Sequence, residues 1–287
     1  MKLVNLTESF ATAILDFDIN NATHDDIKKI KDLIYQRKVV SIKNQNINRE
    51  AYLKFAKNFG SLEQFKLKNY HDPEYPNILV INNKNAGNAV GARKLGNMWH
   101  SDSSYLTTPL PLTFLHAQKL PSHGGDTLFI DMQSALEALP SNLLNQIEGR
   151  KAAHDVKLTY KVKSEDLGES IQEIFTRLAS SFPATYHQTI MVHPITGHKN
   201  LFMNPGYTTS KITGYTDDES QSLLTQIFEH VIRPEKIFAY KWENNDLLIW
   251  DNRSVLHCAT EVAREEERLM YRIGVNDGDF FANGQMP

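Results

Sequence analysis

The sequence predicts a mainly β fold with flanking helices, either a sandwich or a barrel. Six short β-rich runs are separated by turn-forming residues, and only a few stretches carry helical periodicity. No repeat and no linker rich in Pro, Gly or Ser divides the 287 residues, so one domain spanning 1–287 is the simplest organisation. Along the chain, Ile27, Ile30 and Ile34 recur at helical spacing behind the cap residue Thr23. A second helix is predicted from Asn48 to a stop at Gly60. The strand candidates are KVVSIK from Lys38, NILVIN from Asn77, LTFLHAQ from Leu112, TLFI from Thr127, DLLIW from Asp246 and RLMYRIGV from Arg268. Helices interrupt them near 132–148 and 217–231. The segment 157–186 fits a β pattern poorly and reads as a loop plus short helix, a lid inserted into the β core.

Composition narrows the function. Hydrophobic residues at 41% and charged residues at 23% suit a globular protein, and a net charge of −3 gives no sign of a nucleic-acid or membrane-surface partner. Acidic residues arrive too early for a signal-peptide core, and no apolar run reaches the ~18 residues of a membrane span, so the expected location is cytoplasmic. The single cysteine, Cys258, excludes an intrachain disulfide framework and any site built from several thiolates. A bound metal must take nitrogen and oxygen ligands.

The run WHSDSSY, residues 99–105, has chemical content. In an extended segment His100 and Asp102 project to the same face and offer an imidazole beside a carboxylate. His257, following DLLIW and a turn, supplies a third ligand. Two histidines and one carboxylate leave adjacent coordination positions open, as Fe(II) oxygenases require. Zinc hydrolases use the same ligand types, and a His-x-Asp pair alone reads equally as a polar turn with a surface histidine.

The strand RLMYRIGV alternates. Leu269, Tyr271, Ile273 and Val275 face one way, and Arg268 and Arg272 share the other face. At the strand rise the two arginines stand roughly 13 Å apart, which suits two separate anions. Guanidinium is well shaped for a carboxylate or sulfonate. The competing arrangement has both arginines in solvent, paired with Glu265, Glu266 and Glu267.

Taken together, WHSDSSY, GGDTLF from Gly124, HPITGHKNLFMNPGYTT from His193 and WDNRSVLH followed by RLMYR resemble the TauD/TfdA group of Fe(II)/2-oxoglutarate-dependent dioxygenases. The spacing of eleven and fifteen residues from His257 to Arg268 and Arg272 agrees with that group. The resemblance implies a distorted double-stranded β-helix, or jelly roll, with Fe(II) held by His100, Asp102 and His257. It implies 2-oxoglutarate as co-substrate at Arg268 and Thr127, O2 as oxidant, and succinate and CO2 as co-products. It further implies a small anionic organic substrate at Arg272 with Tyr207 lining the pocket; Tyr105, near the first two ligands, is a further candidate contact, and the oligomeric state is open, a homo-oligomer being the common arrangement among relatives. Hydroxylation or oxidative cleavage of a sulfonate or carboxylate is the leading expectation. Desaturation or isonitrile formation on an amino-acid derivative uses the same cofactor chemistry, and a zinc hydrolase or non-catalytic binding module is the remote alternative. Gly96 stands where the taurine enzyme has a polar side chain, which argues against taurine itself.

Overall fold

The computed structural model describes residues 1–64, 70–83, 96–155, 157, 168–206 and 208–282. Their elements run β1 (Lys2–Asn5), β2 (Thr12–Leu15), α1 (His24–Arg37), β3 (Val39–Ile42), α2 (Arg49–Lys57), β4 (Ser61–Leu62), β5 (Leu79–Asn82) and β6 (Leu112–Lys119). There follow β7 (Thr127–Asp131), α3 (Met132–Glu137), α4 (Ser141–Ile147), β8 (Lys151–His154), α5 (Ile171–Ser181), β9 (Thr185–Gln188), β10 (Ile190–Val192) and β11 (Lys199–Leu201). The last are β12 (Thr208–Ile212), α6 (Asp217–Val231), β13 (Phe238–Tyr240), β14 (Leu247–Asp251), β15 (Val255–Ala259) and β16 (Leu269–Asn276). The result is a sheet-rich α+β fold.

The largest sheet has the order β1-β2-β3-β14-β6-β16-β4, with β5 also paired to β16. Its pairings are antiparallel except β2 with β3. Strand alternation gives each residue set a different neighbour. Val40, Ile42, Phe114, Leu247, Ile249, Ile273 and Val275 pack with the buried residues of α1 and α2. Val39, Leu115, Leu248, Trp250 and Met270 point the other way, against Phe129, Tyr240 and Val255 of the sheet β13-β7-β15. Each such side chain taken from water stabilises the fold by about 1.5–3 kcal/mol. The site forms in this second layer, between the two sheets.

The helices follow their sequence signals. A capping box of Thr23 and Asp26 opens α1, and Ile27, Ile30 and Ile34 are its buried stripe. Asn48 caps α2 by accepting from the amide of Ala51. That helix ends at Lys57, before Gly60, which lies against the backbone of Asn276 and Asp277 where a Cβ has no room.

The second half holds strands that no pattern announced, among them β13 and β15 and, away from the two sheets above, β12-β8-β9 and the pair β10-β11. The latter pack with α3, α4 and α6 on a core including Ile130, Leu136, Ile147, Ile212 and Ile227. Of the segment 157–186, residues 158–167 lie outside the described residues. The remainder includes the capped helix α5, and its end already belongs to β9. Among the described residues no helix is long and apolar enough to cross a membrane.

Candidate active site

His100 and His257 are joined as a reciprocal antiparallel pair, His100 N–H to the His257 carbonyl at 3.0 Å and His257 N–H to the His100 carbonyl at 2.8 Å. This pairing adds the 96–100 segment to the edge of β15 and puts the two imidazoles side by side, ring centroids 4.1 Å apart. Nδ1 of His100 donates to the Met98 carbonyl oxygen at 2.6 Å, which fixes the ring with Nε2 on the side of the site. Asp102 completes the group, with its two oxygens 3.6 Å from His100 Nε2 and 3.9 Å from His257 Nε2. Among the described residues this is the one cluster of three His, Cys, Asp or Glu side chains with converging ligand atoms, all within 4.8 Å. Two imidazole nitrogens, one carboxylate oxygen and no thiolate form a donor set that fits Fe(II) with open positions.

The carboxylate is held by residues that the sequence motifs gave no role. Thr113 on β6 donates to Asp102 Oδ2 at 2.6 Å and accepts from the side-chain amide of Asn252 at 2.9 Å. Asn252 Oδ1 accepts from the Asp102 amide at 3.3 Å and from the Trp250 indole at 3.0 Å. Ser101, pointing to the opposite face, donates its hydroxyl to the Asn252 carbonyl and its amide to Asn204. Thr113 was findable as a polar residue on the inward face of an apolar strand. Asn252 stands inside the quoted WDNR run, and Asn204 inside NPG.

Burial and charge set the protonation of the ligands. Burial pushes the Asp102 carboxyl up, but the Arg272 guanidinium and the contact with His100 outweigh it and hold the group well below the usual carboxylate range. Burial, with His100 adding to it, keeps the His257 imidazole well below its ordinary range and therefore neutral. A carboxylate and a neutral imidazole are the ligating forms.

Arg268, just before β16, and Arg272 within it are both buried, 7% and 6% exposed, which removes the solvent-facing arrangement. The acidic run pairs elsewhere, Glu267 with Lys119 and Glu266 with the Ser122 amide. The two guanidinium groups differ sharply. Arg272 lies 3.2 Å from Asp102 and 3.1 Å from Glu63, and these carboxylates raise its pKa against the effect of burial. Glu63 also accepts from the Ser103 hydroxyl at 3.2 Å and fills the space left by Gly274. Arg268, among the described residues, makes one side-chain hydrogen bond, from Nε to the Gly125 carbonyl at 3.1 Å, and no ion pair. Burial lowers its pKa to about 10, with only Asp126 opposing. Gly125, at φ +76°, lets the guanidinium lie on the backbone, since a Cβ there would sit 3.0 Å from Arg268 Cδ.

Thr127 opens β7, is 3% exposed, and accepts a hydrogen bond from Trp242 Nε1 at 3.0 Å. One cavity is lined by His100, Asp102, His257, Thr127, Arg268 and Arg272, with Gly96, Ile81, Leu115, Trp250 and Ala259. Trp250 forms an aromatic wall of it, its ring 4.7 Å from the His257 ring centre. Tyr105 is not among the described lining residues; its ring lies edge-on to Phe182 at 6.0 Å. Tyr207 falls outside the described residues.

The taurine catabolism dioxygenase TauD, TfdA family matches residues 2–273. The chain is 31% identical over 261 residues to the alpha-ketoglutarate-dependent 2,4-dichlorophenoxyacetate dioxygenase of Cupriavidus pinatubonensis, covering 86% of this chain and 88% of that one. It is 28% identical over 257 residues to an alkylsulfatase of Acinetobacter baylyi, covering 86% of this chain and 75% of that one. A solved structure of AAD-2 with Mn(II) and N-oxalylglycine shares the fold at a TM-score of 0.80 and 22% identity, covering the whole of both chains. The enzyme class and its requirements, Fe(II), 2-oxoglutarate and O2, follow from these relatives together with the His-Asp-His cluster. The chain belongs to the TauD/TfdA family of Fe(II)/2-oxoglutarate-dependent dioxygenases.

Proposed function

We propose that this dioxygenase hydroxylates or oxidatively cleaves a small anionic organic substrate, with His100, Asp102 and His257 as iron ligands. Arg268 and Thr127 are the receptor for the distal carboxylate of 2-oxoglutarate, and Arg272 faces the substrate anion. The observation that carries the reading is the state of Arg268. A buried guanidinium without a carboxylate partner among the described residues costs several kcal/mol, and it lines the same cavity as the three metal ligands. A dicarboxylate co-substrate whose distal carboxylate met Arg268 would remove that cost.

Bound Fe(II) supplies the oxidative chemistry, coupling the conversion of 2-oxoglutarate and O2 into succinate and CO2 to oxidation of a substrate carbon. The chain's own residues orient and enclose. Arg268 and Thr127 fix the co-substrate at one wall, Trp250 closes another, and Thr113 with Asn252 aims the Asp102 carboxylate. Each terminal nitrogen of Arg272 carries two N–H groups. Arg272 is held by Asp102 and Glu63 and lines the cavity, the side of it that this reading gives to the substrate anion. Tyr207 belongs to this reading as a further substrate contact and 157–186 as the cover of a single domain, whereas Tyr105, packed on Phe182 away from the cavity lining, is not retained.

Relatives named for phenoxyacetate and alkyl sulfate chemistry, and a pocket glycine at Gly96 in place of a polar side chain, favour aryloxyalkanoates and alkyl sulfates over taurine. The test is succinate formation by the Fe(II)-loaded protein with O2 and 2-oxoglutarate across aryloxyalkanoates, alkyl sulfates, sulfonates, and neutral and cationic analogues. Stimulation by at least one anion, lost in Arg272→Met, is expected. Stimulation confined to neutral or cationic compounds overturns the substrate class.

A further inference from the structure

We propose that Trp242 is a positioning residue for 2-oxoglutarate, acting through Thr127. The proposal rests on the reading that Thr127 and Arg268 receive the distal carboxylate. An indole N–H can only donate, so its 3.0 Å contact with Thr127 Oγ1 uses the hydroxyl as acceptor. The hydroxyl proton must then point away from the indole, and among the described residues no acceptor takes it. Thr127 is buried and lines the cavity with Arg268, so an anion docked there meets an O–H already turned towards it.

The indole is itself held. Its ring stands edge-on to Tyr240 at 5.1 Å. The Tyr240 hydroxyl donates to Asp246 at 2.7 Å, and Tyr240 is the β13 residue paired directly with Thr127 of β7. Trp242, Thr127 and the receptor therefore form a chain of fixed polarity. Without the indole N–H, the hydroxyl is free to turn its proton away from the carboxylate, and the co-substrate loses a directed charge-assisted hydrogen bond.

The test compares two ligands on the Fe(II)-loaded protein under anaerobic conditions by calorimetry. One is 2-oxoglutarate. The other is 2-oxopentanoate, which keeps the chelating end and has a methyl group in place of the distal carboxylate. Trp242→Phe is expected to weaken 2-oxoglutarate about tenfold and leave 2-oxopentanoate unchanged, since a hydrogen bond to a charged group contributes about 1.5 kcal/mol. In a Thr127→Val background the same substitution is expected to have no further effect on 2-oxoglutarate. Equal weakening of both ligands, or full additivity with Thr127→Val, overturns the proposal by making Trp242 a packing residue. If Thr127→Val and Arg268→Met both keep the wild-type preference for 2-oxoglutarate over 2-oxopentanoate, the underlying receptor reading fails instead. Replacing Trp242 with 3-benzothienylalanine, which exchanges only the N–H for sulfur, gives the same discrimination should the phenylalanine variant not fold.

Discussion

The backbones of His100 and His257 exchange two hydrogen bonds, and this exchange fixes the spacing of the two imidazoles. The third ligand has no such support. Asp102 follows His100 by two residues, and its carboxylate is aimed by side chains from β6 and from the turn between β14 and β15.

Thr113→Val therefore tests the metal centre without touching a ligand. The substitution removes the 2.6 Å hydrogen bond to Asp102 and leaves the Asn252 amide without its acceptor. Loss of an outer partner of this kind costs about tenfold in metal affinity or more. Competition of the protein with a chelator for Fe(II) under anaerobic conditions checks this, and unchanged affinity would show that Asp102 needs no such support.

Behind the site, Asp251 lies between His193 at 2.8 Å and Arg253 at 2.8 Å, and Arg253 also meets Asp277 at 2.9 Å, all with side chains fully buried. Arg253→Met leaves two buried carboxylates short of a cation, a change that costs about 3–5 kcal/mol. Denaturant unfolding should show a large fall in midpoint. A change within 1 kcal/mol, roughly the worth of an exposed pair, contradicts a structural role for the network.

Acid stability is governed in part by His154 and His187, whose rings meet at 5.1 Å beside Phe202. Burial lowers His187 to about 4, although the carbonyls of Ser104 and Leu106 face its Nε2, and it holds His154 well below 6.5. In the unfolded chain both titrate near 6.5. Between these values the unfolded state takes up protons that the folded state refuses. Stability is thus undiminished above about 6.5 and falls as the pH descends towards 4. The thermal midpoint should drop from pH 7.5 to pH 5, and His154→Phe should reduce that drop; an identical drop in the variant contradicts the assignment.

Much of this was legible in the sequence, and the reasons differ by element. The alternation of RLMYRIGV placed Ile273 and Val275 in one core layer and the two arginines in the cavity. Thr23 and Asn48 announced the starts of α1 and α2 through the physics of capping. The strands β8 to β12 carry no such signal, because KAAH and KNL are too short to show a period and gain their burial from distant parts of the chain, α3, α4 and α6 on one side and Phe202, Phe280 and Phe281 on the other. In the site, residue type and spacing pointed to the three candidate ligands, but the contacts that Thr113, Asn252 and Trp242 make could not be read. Their roles come from hydrogen bonds across 139, 11 or 115 positions of chain, or from both ends of one such network. Nor did the strand pattern reveal that Glu63 already neutralises Arg272, since their pairing spans 209 positions.

That difference between the two arginines is the central claim, and the binding of 2-oxoglutarate to Fe(II)-loaded, oxygen-free protein tests it most directly. Arg268→Met should weaken binding about a hundredfold or more, the loss of a charge-assisted pair, while Arg272→Met, with its iron content verified, should weaken it far less. A loss at Arg272→Met equal to or greater than that at Arg268→Met would contradict the assignment of Arg268 as the co-substrate receptor.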